Sequence, residues 1–326
     1  MRTLKAEVER WPIAGAFTIA RGSKTEAVVV VVEISEDGLT GRGEATPYPR
    51  YGETPESVLA EIETARGFIE GGGDQDALQA VMPPGAARNA IDCALWDLRA
   101  KHEGRRVHEI LGLKRLEPLK TAFTLSLAEP VVMAEQARAN ARRPLLKLKI
   151  GGPGDLDRVQ AVREAAPKCR LIVDANEGLT LEELKRLAPE FARLGVKLIE
   201  QPLKAGEDEA LEGYACPVPL CADESLHTRA ELALCARRYQ VANIKLDKAG
   251  GLTEALALKA EAQAAGMEVM IGCMVATSLA MAPAMIVAQG AAFVDLDGPL
   301  LLAGDRHPGL TYFGSMIEPP PAALWG

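Results

Sequence analysis

The stretch "RPLLKLKIGG" (residues 143–152) places two lysines inside an apolar run that is typical of a buried strand. Lysine is among the residues least often buried in proteins. Because strand side chains alternate between two faces, Lys147 and Lys149 point to one side and the leucines between them to the other. The stretch therefore predicts a strand with one apolar face and one charged face, and the charged face must have partners that tolerate lysine.

Similar apolar runs recur from about residue 120 to the end of the chain, separated by segments with helical spacing. There are eight of them: "TAFTLSL" (121–127), "LLKLKI" (145–150), "CRLIVDAN" (169–176), "VKLIEQP" (196–202), "VPLCADES" (218–225), "VANIKLDK" (241–248), "MEVMIGCM" (267–274) and "AFVDLDGP" (292–299). A βα unit that repeats every 22–27 residues predicts an α/β fold, a modified (β/α)7β barrel of the TIM type. An open doubly wound sheet is the alternative, but even spacing favours closure, and no glycine-rich phosphate fingerprint follows the first strand.

The first part of the chain has a different pattern. "TLKAEVERWPI", "EAVVVVVEI" and "LTGRGEATP" predict an antiparallel meander, with Asp-Gly at the turn in "SEDGLTG". Two amphipathic helices follow, in "TPESVLAEIETARGFI" and "ARNAIDCALWDLRAKHEG". We predict an α+β capping domain over residues 1–118, joined by the C-terminal segment 303–326, and a barrel catalytic domain over residues 119–302.

Composition excludes several classes of protein. The chain has 326 residues, 48% hydrophobic and 25% charged, with a formal net charge of -8 and no basic block, so nucleic acid is not an expected partner. The N-terminus has no apolar signal-peptide core, and no apolar run is long enough to span a bilayer. The six cysteines include no CxxC pair, so we expect free, buried thiols in a cytoplasmic protein without membrane association.

Three acids follow consecutive strands of the predicted barrel. Asp174, Glu200 and Asp223 end the third, fourth and fifth runs, and adjacent strands lie only about 4.8 Å apart. Carboxylates so close repel one another unless a cation neutralises them, and hard oxygen ligands suit Mg²⁺, with Mn²⁺ as a substitute. The alternative interpretation is that each acid caps the backbone that follows its strand.

Lysines end the strands on either side of these acids. Lys149 ends the second run and Lys245 the sixth, so their amines would face each other across the metal. Burial and a cation lower the pKa of lysine towards values useful for acid–base catalysis, whereas simple pairing with the carboxylates is the alternative role. Lys147, one step deeper, is expected to support charge, and Lys248 is expected to be a loop or salt-bridging lysine. Opposed bases beside a metal predict proton abstraction next to a carboxylate, with racemisation or epimerisation as the outcome.

These motifs together resemble the enolase superfamily, and within it the muconate-lactonizing subgroup. The resemblance lies in "KLK", "VDAN", "IEQP", "ADES" and "NIKLDKAGGLTEAL" and covers nearly the whole chain. It implies an Mg²⁺ site formed by Asp174, Glu200 and Asp223, and two-base proton transfer through a metal-stabilised enediolate. The mandelate racemase subgroup would require a histidine base, but none of the four histidines falls at a strand end.

Within the subgroup, "DLD" (295–297) resembles the D-x-D motif with which dipeptide epimerases hold the free amino group of their substrate. Through "ARGSKTEA", "TPYPRYGE", "GAARNAIDCALWDL", "IKLDKAGGLTEALAL" and "GCMVATS", the chain resembles L-Ala-D/L-Glu epimerases, which implies a role in murein peptide recycling. Paired carboxylates at Asp295 and Asp297 suit an ammonium group. The remaining candidates for substrate binding are Arg21 or Lys24 as the anchor for a glutamate carboxylate, Arg50 and Tyr51 as closing residues, and Thr124, Cys273 and Met274 at strand ends; the alternative is that the loop residues among them are simply solvated.

Several alternatives remain open at the level of sequence. A dipeptide epimerase of different side-chain specificity, a cycloisomerase or an o-succinylbenzoate synthase would share the half-reaction, although "DLD" argues against the last two. A Schiff-base aldolase with Lys245 as nucleophile would leave the three acids without a role. A non-catalytic binding module is disfavoured because every expected ligand and base is present, and a homo-oligomer is compatible with everything above.

Overall fold

The computed structural model describes all 326 residues and begins with a three-stranded antiparallel sheet. Its strands are β1 (Thr3–Ile19), β2 (Gly22–Glu36) and β3 (Leu39–Ala45), in the order β1-β2-β3. Asp37 and Gly38 both have positive φ (51° and 80°), which is the backbone that a two-residue hairpin turn requires. The meander and its Asp-Gly turn are therefore present as predicted.

Four helices follow this sheet in the chain, and the two longest of them pack against it. The four helices are α1 (Pro55–Glu70), α2 (Gln75–Val81), α3 (Ala86–Glu103) and α4 (Val107–Ile110). Thr54 caps α1 in a reciprocal capping box with Ser57, as the Thr-Pro start predicted. Nearly all of α3 is buried, because it is packed on one side by the sheet and on the other by the barrel.

The second half of the chain forms one curled sheet of eight parallel strands in sequential order. A two-residue strand, β4 (Leu119–Lys120), precedes it, and the barrel strands are β5 (Phe123–Leu125), β6 (Leu145–Lys149), β7 (Arg170–Asp174), β8 (Val196–Glu200), β9 (Leu220–Ala222), β10 (Val241–Ile244), β11 (Glu268–Ile271) and β12 (Phe293–Val294). The Ala122 N–H donates to the Val294 carbonyl at 2.8 Å, which joins the first strand to the last. The barrel is confirmed, and the sequential order excludes a doubly wound sheet.

Eight helices follow the barrel strands, six of them around the outside and two short ones at the C-terminal ends of their strands. The eight helices are α5 (Pro130–Ala139), α6 (Asp155–Ala165), α7 (Leu181–Arg193), α8 (Arg229–Arg238), α9 (Leu246–Ala249), α10 (Leu252–Ala264), α11 (Ser278–Val287) and α12 (Gly298–Leu301). The connection from β8 to β9 contains only a 3₁₀ turn, Glu209–Leu211. Pro202, Gly206, Gly213 and Pro217 interrupt that segment, which accounts for the absence of a regular helix there.

The C-terminal segment returns to the first part of the chain. Strand β13 (Tyr312–Phe313) pairs with β14 (Met316–Ile317), which pairs with β4, and the Trp325 indole donates to the Cys93 carbonyl of α3 at 3.1 Å. The Trp325 contact joins this segment to the first domain, whereas β4 belongs to the predicted barrel domain, so the grouping of residues 303–326 with residues 1–118 stays a prediction. All six cysteines are free. None of the helices has both the length and the hydrophobicity needed to cross a bilayer.

Candidate active site

The interior of the barrel is filled in layers. One buried apolar side chain from each of the eight strand segments forms a floor: Ala122, Leu145, Ile172, Leu198, Cys221, Val241, Met270 and Phe293. Two residues further along each strand, side chains on the same face become mostly polar, since strand side chains alternate with period two. The residues of this second layer are Thr124, Lys147, Asp174, Glu200, Asp223, Asn243, Gly272 and Asp295. The charged groups therefore sit directly above an apolar floor that excludes water.

The three acids predicted from consecutive strands are neighbours in this layer. Asp174 is in register with Glu200 on the adjacent strand, and Asp223 follows the end of the next strand. All three are almost completely buried. Oδ1 of Asp174 accepts a hydrogen bond from the Asn176 N–H at 2.9 Å, so this acid also shapes its own loop, while its Oδ2 faces lysine.

Both lysines of "KLK" point into the barrel, but their surroundings differ. The Lys147 ammonium lies 2.7–3.1 Å from carboxylate oxygens of Asp174, Glu200 and Asp295. Lys149, nearer the mouth, pairs with Asp174 alone, at 2.6 Å. Lys147 is therefore surrounded by negative charge, whereas Lys149 has one acidic partner and faces the cavity.

Two lysines that follow β10 contact Asp223. Lys245 donates to its Oδ2 at 2.7 Å and Lys248 to its Oδ1 at 2.7 Å. Lys248 also donates to the Asn243 carbonyl at 3.0 Å and is fully buried. It does form the expected ion pair, but it does so inside the site rather than in a solvated loop, because the short α9 turns its side chain back under Asp223.

Charge coupling controls the protonation of this cluster. Burial raises the pKa of Glu200 to about 8, and the charge of Asp174 adds to the effect. Burial alone would lower the pKa of Lys245, but Asp223 and Glu200 outweigh it and raise that pKa well above its ordinary value. Lys245 is therefore held as an ammonium ion in this arrangement, in which it donates to Asp223 at 2.7 Å.

The donor chemistry at this position fits a hard divalent cation. The three buried carboxylates lie at the C-terminal ends of three adjacent strands. Two buried oxygens of this region accept no hydrogen bond: Oε2 of Glu200 itself and Oδ1 of the neighbouring Asn243. Glu200 Oε2 does lie 2.8 Å from the Lys147 ammonium, but the two are not aligned for hydrogen bonding. The acids face lysines, and no three Asp, Glu, His or Cys side chains adopt a metal-binding arrangement. A cation would compete with Lys147 and Lys149 for Asp174.

A cavity of about 910 Å³ opens above the polar layer, between the barrel and the capping sheet. It brings together nearly all the predicted site residues, although Asp174 and Glu200 do not line it. The predicted residues that line it are Arg21, Lys24, Arg50, Tyr51, Thr124, Lys147, Lys149, Asp223, Lys245, Cys273, Met274, Asp295 and Asp297. Asp297 accepts from the Thr124 N–H at 2.6 Å, and burial together with Asp295 raises its pKa to about 7.

The capping-domain cations have unequal roles. Arg21 donates to Glu224 at 2.7 Å, to Glu177 at 3.0 Å and to the Asn176 carbonyl at 2.7 Å. Arg50 makes a bidentate pair with Glu177. Lys24 is exposed, has no acidic partner, and lies 5.2 Å from the centre of the Tyr48 ring. Lys24 is thus the cation at the cavity that is free to meet an anion.

Other residues of the site had weak or no sequence signals. Asn243 donates to Glu200 at 2.8 Å, and its position two residues before Lys245 on one strand face was a usable signal. Phe17, whose ring lies 5.7 Å from the Lys149 ammonium, comes from β1. No local pattern links residues 17 and 149, so that contact could not be read from the sequence.

A (β/α)7β barrel beneath an N-terminal α+β cap, with acids and lysines at one mouth, defines an enzyme of the enolase superfamily. The chain belongs to the mandelate racemase / muconate lactonizing enzyme family: the N-terminal domain model of that family matches residues 1–112, and the enolase C-terminal domain-like model matches residues 132–301.

Similar proteins are epimerases and racemases. An L-Ala-D/L-Glu epimerase of Escherichia coli is 47% identical over 96% of this chain and 98% of its own, and an N-acetyl-D-glutamate racemase of Pseudoalteromonas is 44% identical over 91% and 95%. A crystal structure of an enolase family member from Agrobacterium tumefaciens, with homology to dipeptide epimerases and with bound sodium and L-Ala-L-Glu, is 53% identical over both full chains, with a TM-score of 0.98. This chain is accordingly an isomerase.

Proposed function

We propose that this chain is an Mg²⁺-dependent dipeptide epimerase that inverts the glutamate α-carbon of L-Ala-D/L-Glu. The observation that carries the proposal is the placement of Lys149 and Lys245 at the mouth of the same cavity, on β6 and just after β10. These strands are four apart in an eight-stranded barrel, so the two amines approach a bound substrate from opposite sides. Opposed amines suit removal of a proton from one face and its return to the other.

Each residue of the cluster has a distinct part in this proposal. Lys149 and Lys245 exchange the α-proton, one as base and the other as acid, and their roles reverse with the substrate epimer. Lys147 stays charged among its three carboxylates and stabilises negative charge on the substrate carboxylate. Asp174, Glu200 and Asp223 would hold the metal, which when bound supplies positive charge for the substrate carboxylate and favours neutral lysine. Mn²⁺ would serve as a substitute.

Two contacts would orient the dipeptide. Asp297 lies at the cavity wall and suits the free ammonium group of the N-terminal residue, whereas Asp295 is already paired with Lys147 at 2.7 Å. Lys24 suits the side-chain carboxylate of glutamate, because the competing candidate, Arg21, is occupied by Glu224 and Glu177. The reaction fits the reuse of cell-wall peptides, in which such dipeptides arise.

Racemisation of an N-acylated glutamate is the second candidate. One relative, at 44% identity, is an N-acetyl-D-glutamate racemase, whose substrate has no ammonium group. A pKa of about 7 allows Asp297 to be neutral at working pH, and a neutral carboxyl group could donate to an acyl oxygen.

A substrate panel separates these functions. The enzyme with Mg²⁺ is incubated with L-Ala-L-Glu, L-Ala-L-Leu and N-acetyl-L-glutamate, and the products are resolved by chiral chromatography. The proposal predicts L-Ala-D-Glu from the first substrate at a kcat/KM far above those of the others. Turnover of N-acetyl-L-glutamate alone would transfer the assignment to the second candidate, and turnover of none would refute both.

A further inference from the structure

Glu177 is held in an unusual backbone conformation in the loop after β7. Its φ is +69°, and that of the preceding Asn176 is +45°. Residues other than glycine rarely adopt this left-handed backbone conformation. Two such residues in succession persist only where surrounding contacts impose the conformation. Glu177 has such contacts.

The Glu177 carboxylate joins three separate segments. Arg50 donates to it through Nε and Nη2, both at 2.7 Å, from the segment between β3 and α1. Arg21 donates at 3.0 Å from the hairpin tip, which we define as residues 19–24. The Ala205 N–H donates at 2.9 Å from the loop after β8. With its side chain only 6% exposed, this carboxylate would be costly to leave unpaired.

The hairpin tip also rests on glycines of the barrel. A Cβ on Gly151 would lie 2.7 Å from the Ala20 Cβ, and one on Gly178 would lie 3.4 Å from it. Only residues without side chains permit this approach, so Ala20 and Arg21 together dock the hairpin tip against the loops after β6 and β7. Arg21, at the same tip, faces the cavity.

We propose that Glu177 is a positioning residue that fixes the hairpin tip and Arg50 over the cavity and thereby sets affinity for the substrate side chain. Glu177 does not line the cavity, so it acts through the arginines rather than by touching substrate. The choice of substrate in the test rests on the proposed function, but the docking itself does not. A merely structural ion pair would change stability without changing substrate affinity.

The test compares Glu177→Gln with Glu182→Gln, a matched control on α7 whose carboxylate is largely exposed and pairs only with Lys185. Trypsin cleaves after Arg21 and Lys24, so the rate of cleavage at the hairpin tip without substrate reports docking directly. Loss of two charge-assisted contacts predicts cleavage and KM for L-Ala-L-Glu each about tenfold higher in Glu177→Gln, with kcat within about twofold. The control should match the wild type in all three.

A second variant tests the docking of the hairpin tip independently, in case Glu177→Gln misfolds. Ala20→Leu places bulk against Gly151 and Gly178 without altering any charge, so it should also accelerate cleavage at the hairpin tip. The proposal is overturned if Glu177→Gln keeps the cleavage rate and KM of the control, or if kcat falls while KM is unchanged. Cleavage that accelerates in both variants while no dipeptide is turned over would uphold the docking and refute the proposed function instead.

Discussion

Lys147 and Lys149, which are separated by one residue on β6, differ in the number of carboxylates around them. The three carboxylates around Lys147 outweigh its burial and hold its pKa well above the ordinary value, so it remains an ammonium ion. Lys149 contacts one carboxylate and borders the cavity, which leaves it able to approach a substrate proton. The deeper lysine, Lys147, is thus suited to stabilising negative charge, and Lys149, nearer the mouth of the barrel, is suited to proton transfer.

Replacing Lys248 tests the importance of the support beneath Asp223. Lys248→Met removes the donor that, anchored on the Asn243 carbonyl, holds Asp223 Oδ1 in position. Changes behind metal ligands typically cost about 10- to 100-fold in metal affinity or activity, and we expect that loss in Mg²⁺ affinity measured by calorimetry. Lys259→Met is the control, because Lys259 donates to backbone carbonyls of Val287 and Gln289 remote from the cavity. Equal Mg²⁺ affinity in the two variants would rule out the role.

Asp297 is the residue on which the ammonium contact depends. Asp297→Asn keeps an acceptor for the Thr124 N–H but removes the charge, so KM for L-Ala-L-Glu should rise about 10- to 100-fold. The inhibition constant of N-acetyl-L-glutamate, which has no ammonium group, should change little. Steady-state kinetics measure both constants, and an equal weakening of the two ligands would show that Asp297 does not recognise the amine.

At the scale of the element, the glycine that follows β11 leaves space for the Lys245 side chain. A Cβ at Gly272 would lie 2.7 Å from Asn243 Oδ1 and 3.0 Å from Lys245 Cε. Gly272→Ala should therefore displace Lys245 and lower kcat at least about tenfold, while overpacking costs about 1–3 kcal/mol of stability. Gly67→Ala, in open space on α1, is the control and should retain kcat. A Gly272→Ala enzyme with wild-type kcat would show that Lys245 tolerates displacement.

The regular elements are largely predictable from the sequence because their signals are local. An apolar run marks each barrel strand, and the period of two is sufficient to predict that Lys147 and Lys149 share one face of β6. The helix-free connection from β8 to β9 is not predicted, because the regular spacing of strand ends outweighs the signals of Gly206 and Gly213. Contacts between the cap and the barrel, such as that of Arg21 with Glu224, join residues 203 apart in sequence and leave no local pattern.

At the scale of the whole molecule, buried acids join the cap to the barrel. Asp247 accepts from the Thr46 N–H and the Asn89 amide, both at 2.9 Å, and Glu44 accepts from Thr277 and Arg306. Burial raises the pKa of Asp247 to about 7, compared with 3.8 as its ordinary value. The charges of Glu53 and Glu44 act in the same direction.

This shift makes stability depend on pH with a definite sign. Between about pH 4 and pH 7 the folded protein keeps the Asp247 proton that the unfolded chain has released, so its contribution to stability falls as pH rises through that window. Urea unfolding at pH 5 and pH 8 should show a smaller difference in midpoint for Asp247→Asn than for the wild type. Asp76→Asn, at an exposed position, should preserve the wild-type difference. An unchanged pH dependence in Asp247→Asn would refute the assignment.

The two-base account is tested most directly by solvent deuterium exchange in single lysine variants. Lys149→Ala and Lys245→Ala are incubated separately with L-Ala-L-Glu and L-Ala-D-Glu in heavy water, and deuterium at the glutamate α-carbon is measured by mass spectrometry and proton NMR. We predict that neither variant epimerises, that each exchanges the α-proton of one epimer only, and that the two variants exchange opposite epimers. Wild-type epimerisation by either variant, or exchange of the same epimer by both, would contradict the placement of Lys149 and Lys245 as opposed bases.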